Sequence, residues 1–283
     1  MENKKKNWDI IIRPKNNFFQ INFLEIYKYR DLIKMFVIRD FVTFYKQTIL
    51  GPLWYVIQPL INTIVFTIIF GNLAKISTDG VPPFLFYLAG NVVWSYFAVC
   101  LTTTSNTFIA NADIFGKVYF PRLTVPIANV IISLLQFLLQ FIFFLAFLIY
   151  FYFRGVEINI GFTVMLLPLI LFQMAILGLG VGILIASLTT KYKDLTFLMT
   201  FGVQLWMFAT PVVYPLSIVP ENYRIFIILN PMTSIVEIFK KIFLGQSSIE
   251  LHHVLISIII TLFIFFLGLF NFGKMEKNFM DTI

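Results

Sequence analysis

The stretch ATPVVYPLSIVPENYRIFIILNPMTSIVEIFKKIFLG, residues 209–245, decides the fold. It is too apolar for a water-exposed loop. Yet Pro211, Pro215, Pro220 and Pro231 deny it an unbroken helix of spanning length, because each removes a backbone donor and crowds the preceding turn. A segment that dips into a membrane without crossing it satisfies both facts. Irregular backbone survives at membrane depth only where protein buries it or where it lines a cavity. The segment is therefore a candidate wall or gate of a pathway; an amphipathic anchor lying flat at the interface is the competing reading. Its second half predicts a short helix: Ser234 and Glu237 stand at capping-box spacing, Ile235, Ile238, Phe239 and Ile242 share a face, and Lys240, Lys241 and Gly245 form a C-terminal signature. At ~1.5 Å per residue such a helix reaches about halfway through a ~30 Å hydrocarbon layer.

The rest of the chain supplies the membrane context. Of 283 residues, 59% are hydrophobic and 12% charged, against about 25% charged in ordinary globular domains. Stretches free of Lys, Arg, Asp and Glu run over residues 47–74, 80–112, 123–153, 158–190, 195–220 and 251–273, and each holds the ~20 residues a spanning helix needs. Six transmembrane helices follow, with both termini on one side. If that side is cytoplasmic, sixteen of the 21 Lys and Arg residues lie inside and five outside. The positive-inside rule then sets the orientation and puts residues 209–245 on the external face. The net charge of +7 has this topological cause and does not mark a nucleic-acid surface.

Residues 1–20 form a basic arm without apolar periodicity. The first 46 residues lack the apolar core of a cleavable signal. Over residues 24–46, Ile26, Ile33, Val37, Phe41 and Phe44 gather on one helical face, and Glu25, Lys28, Asp31, Arg39 and Lys46 on the other. This predicts a helix along the membrane surface, or one packed on a soluble partner. The chain thus divides into residues 1–46, arm and interface helix, and 47–283, the membrane domain.

Chemistry-bearing groups are few. No span holds a charged residue, whereas ion-coupled carriers place them within the bundle. His252 and His253, beside Glu250, read as interfacial. Cys100 stands alone, so neither a disulfide framework nor a metal cluster is expected. The phosphate-loop pattern G-x-x-x-x-G-K-[ST] does not occur, and no nucleophile or paired carboxylates suggest an enzyme. Within the spans Asn62, Asn91, Gln136, Gln140, Gln173 and Gln204 read as interhelical hydrogen-bonding groups. Residues 106–126 are the informative cytoplasmic piece. Asn111 or Asp113 can start a short helix through Lys117, leaving Phe115, Val118, Tyr119 and Phe120 as an apolar surface in water. That surface suggests docking on another protein, or a loop folded back on the membrane.

Three blocks now resemble a known family: LGPLWYVIQPL (residues 50–60), KVYFPRLTVPIANV (117–130) and the broken external stretch (210–245). Together with the six-span order they are similar to permease subunits of type-2 ABC transporters that export O-antigen, capsular polysaccharide or teichoic acid. The resemblance implies an all-α membrane protein with an N-terminal interface helix and short re-entrant external helices between spans five and six. It implies a homodimer in the bacterial cell membrane with both termini cytoplasmic. ATP and Mg would be bound by a separate ATPase subunit, with no cofactor in this chain. Asn111, Asp113, Phe115, Lys117 and Tyr119 then match the coupling helix that meets the ATPase. Pro211, Pro215, Pro220, Ser234 and Glu237 fall in the external gate. A lipid-linked glycan would pass along the dimer axis, with Trp54, Tyr87, Trp94, Tyr96, Trp206 and Tyr214 as the aromatic residues able to contact sugars. A type-2 permease for a drug or small lipid fits the same topology, and an integral membrane glycosyl or acyl transferase is the third possibility.

Overall fold

The computed structural model describes residues 23–46, 48–156, 161–189, 192, 194–245 and 249–278. The expected basic arm, residues 1–20, lies outside the described residues. All regular structure among the described residues is helical. The chain starts with α1 (Phe23–Lys28) and α2 (Arg30–Lys46), continues through α3 (Trp54–Phe66) and α4 (Pro83–Ser105), and makes two single turns, α5 (Thr107–Ala110) and α6 (Ala112–Phe115). Then come α7 (Thr124–Phe153), α8 (Leu167–Thr189), α9 (Leu195–Phe208), α10 (Glu221–Leu229), α11 (Pro231–Leu244) and α12 (Leu251–Asn278).

Among the described residues, five helical stretches are long and apolar enough to cross a membrane: Gly51–Leu73, Pro83–Ser105, Thr124–Phe153, Phe162–Thr189 and Leu251–Lys274. The fifth expected span, residues 195–220, departs from expectation. It is helical only over the 14 residues of α9, or ~21 Å of rise, and then breaks into the turns that Pro211 and Pro215 impose. The chain nevertheless changes ends there. Thr189 closes α8 with its Oγ1 donating to Ser105 O at the far end of α4, while α12 begins beside α11 at the opposite end.

Two apolar cores occupy the two ends of the bundle. At one end Ile26, Phe36, Phe108, Phe115, Phe120, Leu123, Leu269 and Phe272 form one cluster, in which α2 sits on α7 and, through Phe36 and Phe120, on the loop before it. The N-terminal helix therefore lies against the bundle through Ile26, Ile33 and Val37 of the predicted face, joined by Tyr29, Leu32 and Phe36, which the prediction left out. The larger core surrounds α4, the central helix, and extends to α11, where Phe239 and Phe243 meet Phe141 and Phe144 of α7 with ring centroids 5.3–6.2 Å apart. Close backbone contact welds α8 to α12. A Cβ on Gly268 would stand 2.5 Å from Gly180 O, a distance that excludes any side chain. Gln173 fastens the same pair, its Nε2 donating to Ser257 Oγ at 2.7 Å.

Helix α11 corrects two expectations. It begins at Pro231 under an Asn230 cap whose Oδ1 accepts from Met232 N at 3.1 Å, so Ser234 and Glu237 do not form the capping box. Proline at the first helical position, with its φ already helical, outweighs the Ser/Glu spacing. Nor is α11 amphipathic in its surroundings, since every residue except Lys241 is buried, against α4, α8 and α12. Lys240, expected at a helix end in water, is 1% exposed. The left-handed Gly245 closes the helix as predicted.

Candidate functional site

Helices α3 and α9 bury few of their residues, and between them and α4 lies an open cleft of about 440 Å³. Its wall from α3 is irregular. Pro59 sits inside the helix, and a stretch of wider π turns, Thr67–Leu73, follows. Lacking an N–H, Pro59 leaves Tyr55 O without its helical donor, and Gln140 Nε2 from α7 donates to that oxygen at 2.8 Å. Thr63 Oγ1 donates to Pro59 O at 2.8 Å and accepts from Asn91 Nδ2 at 3.0 Å. Of the six amides expected to join helices, Asn91, Gln136, Gln140 and Gln173 do so in the structure, Gln136 by a side-chain bond to Tyr55. Asn62 and Gln204 instead line the cleft with Gln58, Ser95, Thr102 and Thr200.

That lining is uncharged and mixes amide and hydroxyl side chains with a larger apolar surface that includes Trp94, Phe66 and Phe208. Amides and hydroxyls offer donors and acceptors to a ligand rich in hydroxyls without fixing an ion. Aromatic faces add apolar contact. Lipid tails satisfy none of these groups.

The candidate aromatics fall into three places. Trp94 lines the cleft. Trp206 and Tyr214 line a shallower apolar groove of about 700 Å³ with Tyr223 and Phe226, and Trp206 Nε1 donates to Asn230 Oδ1 at 3.0 Å. Tyr87 and Tyr96 are packed inside the bundle against Phe66 and Phe137, away from the cleft, and Trp54 is half exposed at the start of α3. Sequence offered no way to separate these, because all six sit in equally apolar stretches.

At the α11 end, Pro211 and Pro215 are buried and Pro220 is exposed. The turn lies flat on α4, where a Cβ on Gly90 would meet Val212 O at 2.8 Å. Ser217 Oγ donates to both carboxylate oxygens of Asp79, at 2.9 and 3.0 Å. Ser234 is fully buried and donates to His253 O at 3.2 Å. Glu237 is 3% exposed. Lys240, which sequence reasoning assigned to the surface, donates from Nζ to Pro211 O at 2.5 Å and lies 3.6 Å from the centroid of the Phe86 ring. Burial pushes its ammonium below the ordinary lysine range, while the Glu237 and Asp79 carboxylates pull it back up.

At the α2 end, α6 is only four residues long and stops before Lys117. Asn111 precedes it and bonds Thr107 O through Nδ2 at 2.9 Å, while Asp113, Lys117 and Tyr119 are exposed. Phe115 turns inward, 5% exposed, stacking on Phe120 and Phe108 at 5.5 Å. The outward apolar side chains of the loop are Val118 and Tyr119.

The comparisons with known proteins bear on both ends. The family model described as ABC-2 type transporter matches residues 31–244, from α2 to the end of α11. A Klebsiella pneumoniae protein named O-antigen export system permease protein RfbA is 28% identical over 255 residues, covering 89% of this chain and 95% of its own length. A Myxococcus xanthus protein of the same name is 26% identical over 223 residues, 77% of this chain and 82% of its own. With a family model spanning well over half its residues, this multi-pass, all-helical chain belongs to the ABC-2 type transporter family.

Proposed function

We propose that the chain is the permease subunit of an ATP-driven exporter that carries a lipid-linked cell-surface polysaccharide of the O-antigen kind out across the bacterial cell membrane. The observation that carries this reading is the cleft between α3, α4 and α9. It is an uncharged, aromatic-flanked surface with amides and hydroxyls set among apolar side chains, left open at membrane depth, in a chain whose relatives are named O-antigen export permeases. Six crossings fit the chain's change of ends between α8 and α12, with α9 and the turn after it completing the fifth. Both termini then lie in the cytoplasm, and α10 and α11 re-enter the membrane from outside.

A second copy of the chain supplies the missing wall of the cleft. The exposed apolar faces of α3 (Ile61, Ile64, Val65, with Ile68 just beyond its end) and α9 (Phe197, Leu198, Phe201, Leu205) are available for that contact. A separate ATPase subunit, binding ATP and Mg, docks at the loop bearing Asn111, Asp113, Lys117, Val118 and Tyr119, with α2 beside it.

Removing the chain from its bacterium tests this. Lipid-linked glycan should accumulate inside while surface polysaccharide disappears. Unchanged surface polysaccharide with new sensitivity to a drug would assign it to the small-molecule branch of the family instead.

A further inference from the structure

Lys240 has the environment of a working part, not of a surface charge. A lysine side chain buried to this degree persists only when its ammonium is fully engaged. Its contacts come from separate pieces of chain, the Pro211 carbonyl from the turn after α9 and the Phe86 ring from α4, and two carboxylates favour its charge electrostatically, Glu237 from one turn earlier on α11 and Asp79 from the connection before α4. Asp79 also takes the Ser217 hydroxyl, and it does so from a left-handed backbone, φ +52°, that a non-glycine residue rarely adopts.

The attachments of α11 are of two kinds. Toward α12 it is held by uncharged bonds, Ser257 Oγ to Pro231 O at 2.8 Å and Ser234 Oγ to His253 O at 3.2 Å, and α12 is itself locked to α8 at Gly180 and Gly268. Toward the turn of residues 209–220, the Asn230 cap grips its root, donating to Thr210 Oγ1 at 2.8 Å, and further along the long side chain of Lys240 reaches Pro211 O. That turn follows directly on Met207 and Phe208, which line the cleft. Were the turn to lift, Glu237 would remain one helical turn from Lys240, so the ammonium would keep a counter-charge.

We infer that Lys240 is the pin of the external gate: its bond to Pro211 O holds the 209–220 turn shut beside the cleft, and opening is the departure of that turn from an α11 that stays in place. The inference rests on the cleft being the pathway proposed above, but its test does not depend on the cargo.

Val213 is 4% exposed in the closed turn, so a V213C thiol, in a chain whose only native cysteine is changed (C100A), reports when the turn lifts. In nanodisc-embedded permease–ATPase complex without ATP, a maleimide reagent should label V213C slowly, and turnover should accelerate it. Lys240→Met should raise the ATP-free rate by about ten-fold or more, since a charged hydrogen bond is lost. Lys240→Gln retains an N–H donor and should stay near the rate with lysine. Wild-type labelling in K240M, in a complex that still hydrolyses ATP, overturns the inference. Equal acceleration in K240Q and K240M overturns the hydrogen bond as the pin. If K240M does not assemble, Gly90→Ala, which pushes Val212 off α4, must speed labelling, and a rate unchanged by it rejects the hinged turn. Normal gate labelling in a complex that moves no glycan would instead refute the cargo assignment.

Discussion

Gln140 Nε2 lies 2.8 Å from Tyr55 O, the carbonyl that Pro59 deprives of its helical partner. Two features separated by some eighty residues are thereby one device: a proline that breaks the ladder of α3, and an amide on α7 that repairs it. An unmatched carbonyl in the bundle costs about 1–3 kcal/mol, so Gln140→Leu should lower the thermal midpoint of the purified protein. Adding Pro59→Ala to Gln140→Leu restores an N–H to Tyr55 O and should recover most of that loss. Additive losses in the double variant would show that the two residues act independently.

The α8–α12 contact predicts a stability effect without a functional one nearby. Gly268→Ala drives a methyl to 2.5 Å from Gly180 O, and overpacking of this kind costs about 1–3 kcal/mol. Gly202→Ala, with open space around it, should leave the midpoint unchanged. Equal behaviour of the two variants in thermal unfolding would refute the close packing.

Phe115 and Tyr119 separate folding from docking. Phe115 is internal, so Phe115→Ala should cost about 3–5 kcal/mol of stability, as truncations of buried aromatics do. Tyr119 is 63% exposed; Tyr119→Ala should leave unfolding unchanged and weaken co-purification with the ATPase subunit by about ten-fold, the worth of one buried aromatic contact. Undiminished co-purification after Tyr119→Ala together with Val118→Ala would remove this loop from the ATPase interface.

Much of this was legible in the sequence. Long uncharged runs marked the helices, the four prolines of residues 209–245 marked the broken segment, and the Ile26, Ile33 and Val37 stripe marked the face that packs on the bundle. The misreadings share a physical cause. Lys240 looked like a C-terminal charge because sequence shows that signature whether or not the helix end is buried, and only tertiary packing places the Pro211 carbonyl and Phe86 ring around it. Phe115 looked exposed because its partners, Phe108, Phe120 and Phe272, reach it through the fold. Among the aromatics, the choice of Trp94 over Tyr87 and Tyr96 depends on helix rotation. In a helix apolar on every side, periodicity carries no such information.

The most direct test fills the cleft. Ala98 lines it, and Ala98→Trp places an indole in a space of about 440 Å³. Proteoliposomes holding the permease, its ATPase subunit and a lipid-linked glycan, assayed by enzymatic access to the glycan from the side opposite the ATPase, should show ATP-dependent transfer with the native alanine. The Ala98→Trp variant should lose transfer while ATP hydrolysis and thermal stability persist. Transfer at the original rate through the filled cleft would contradict the proposed pathway.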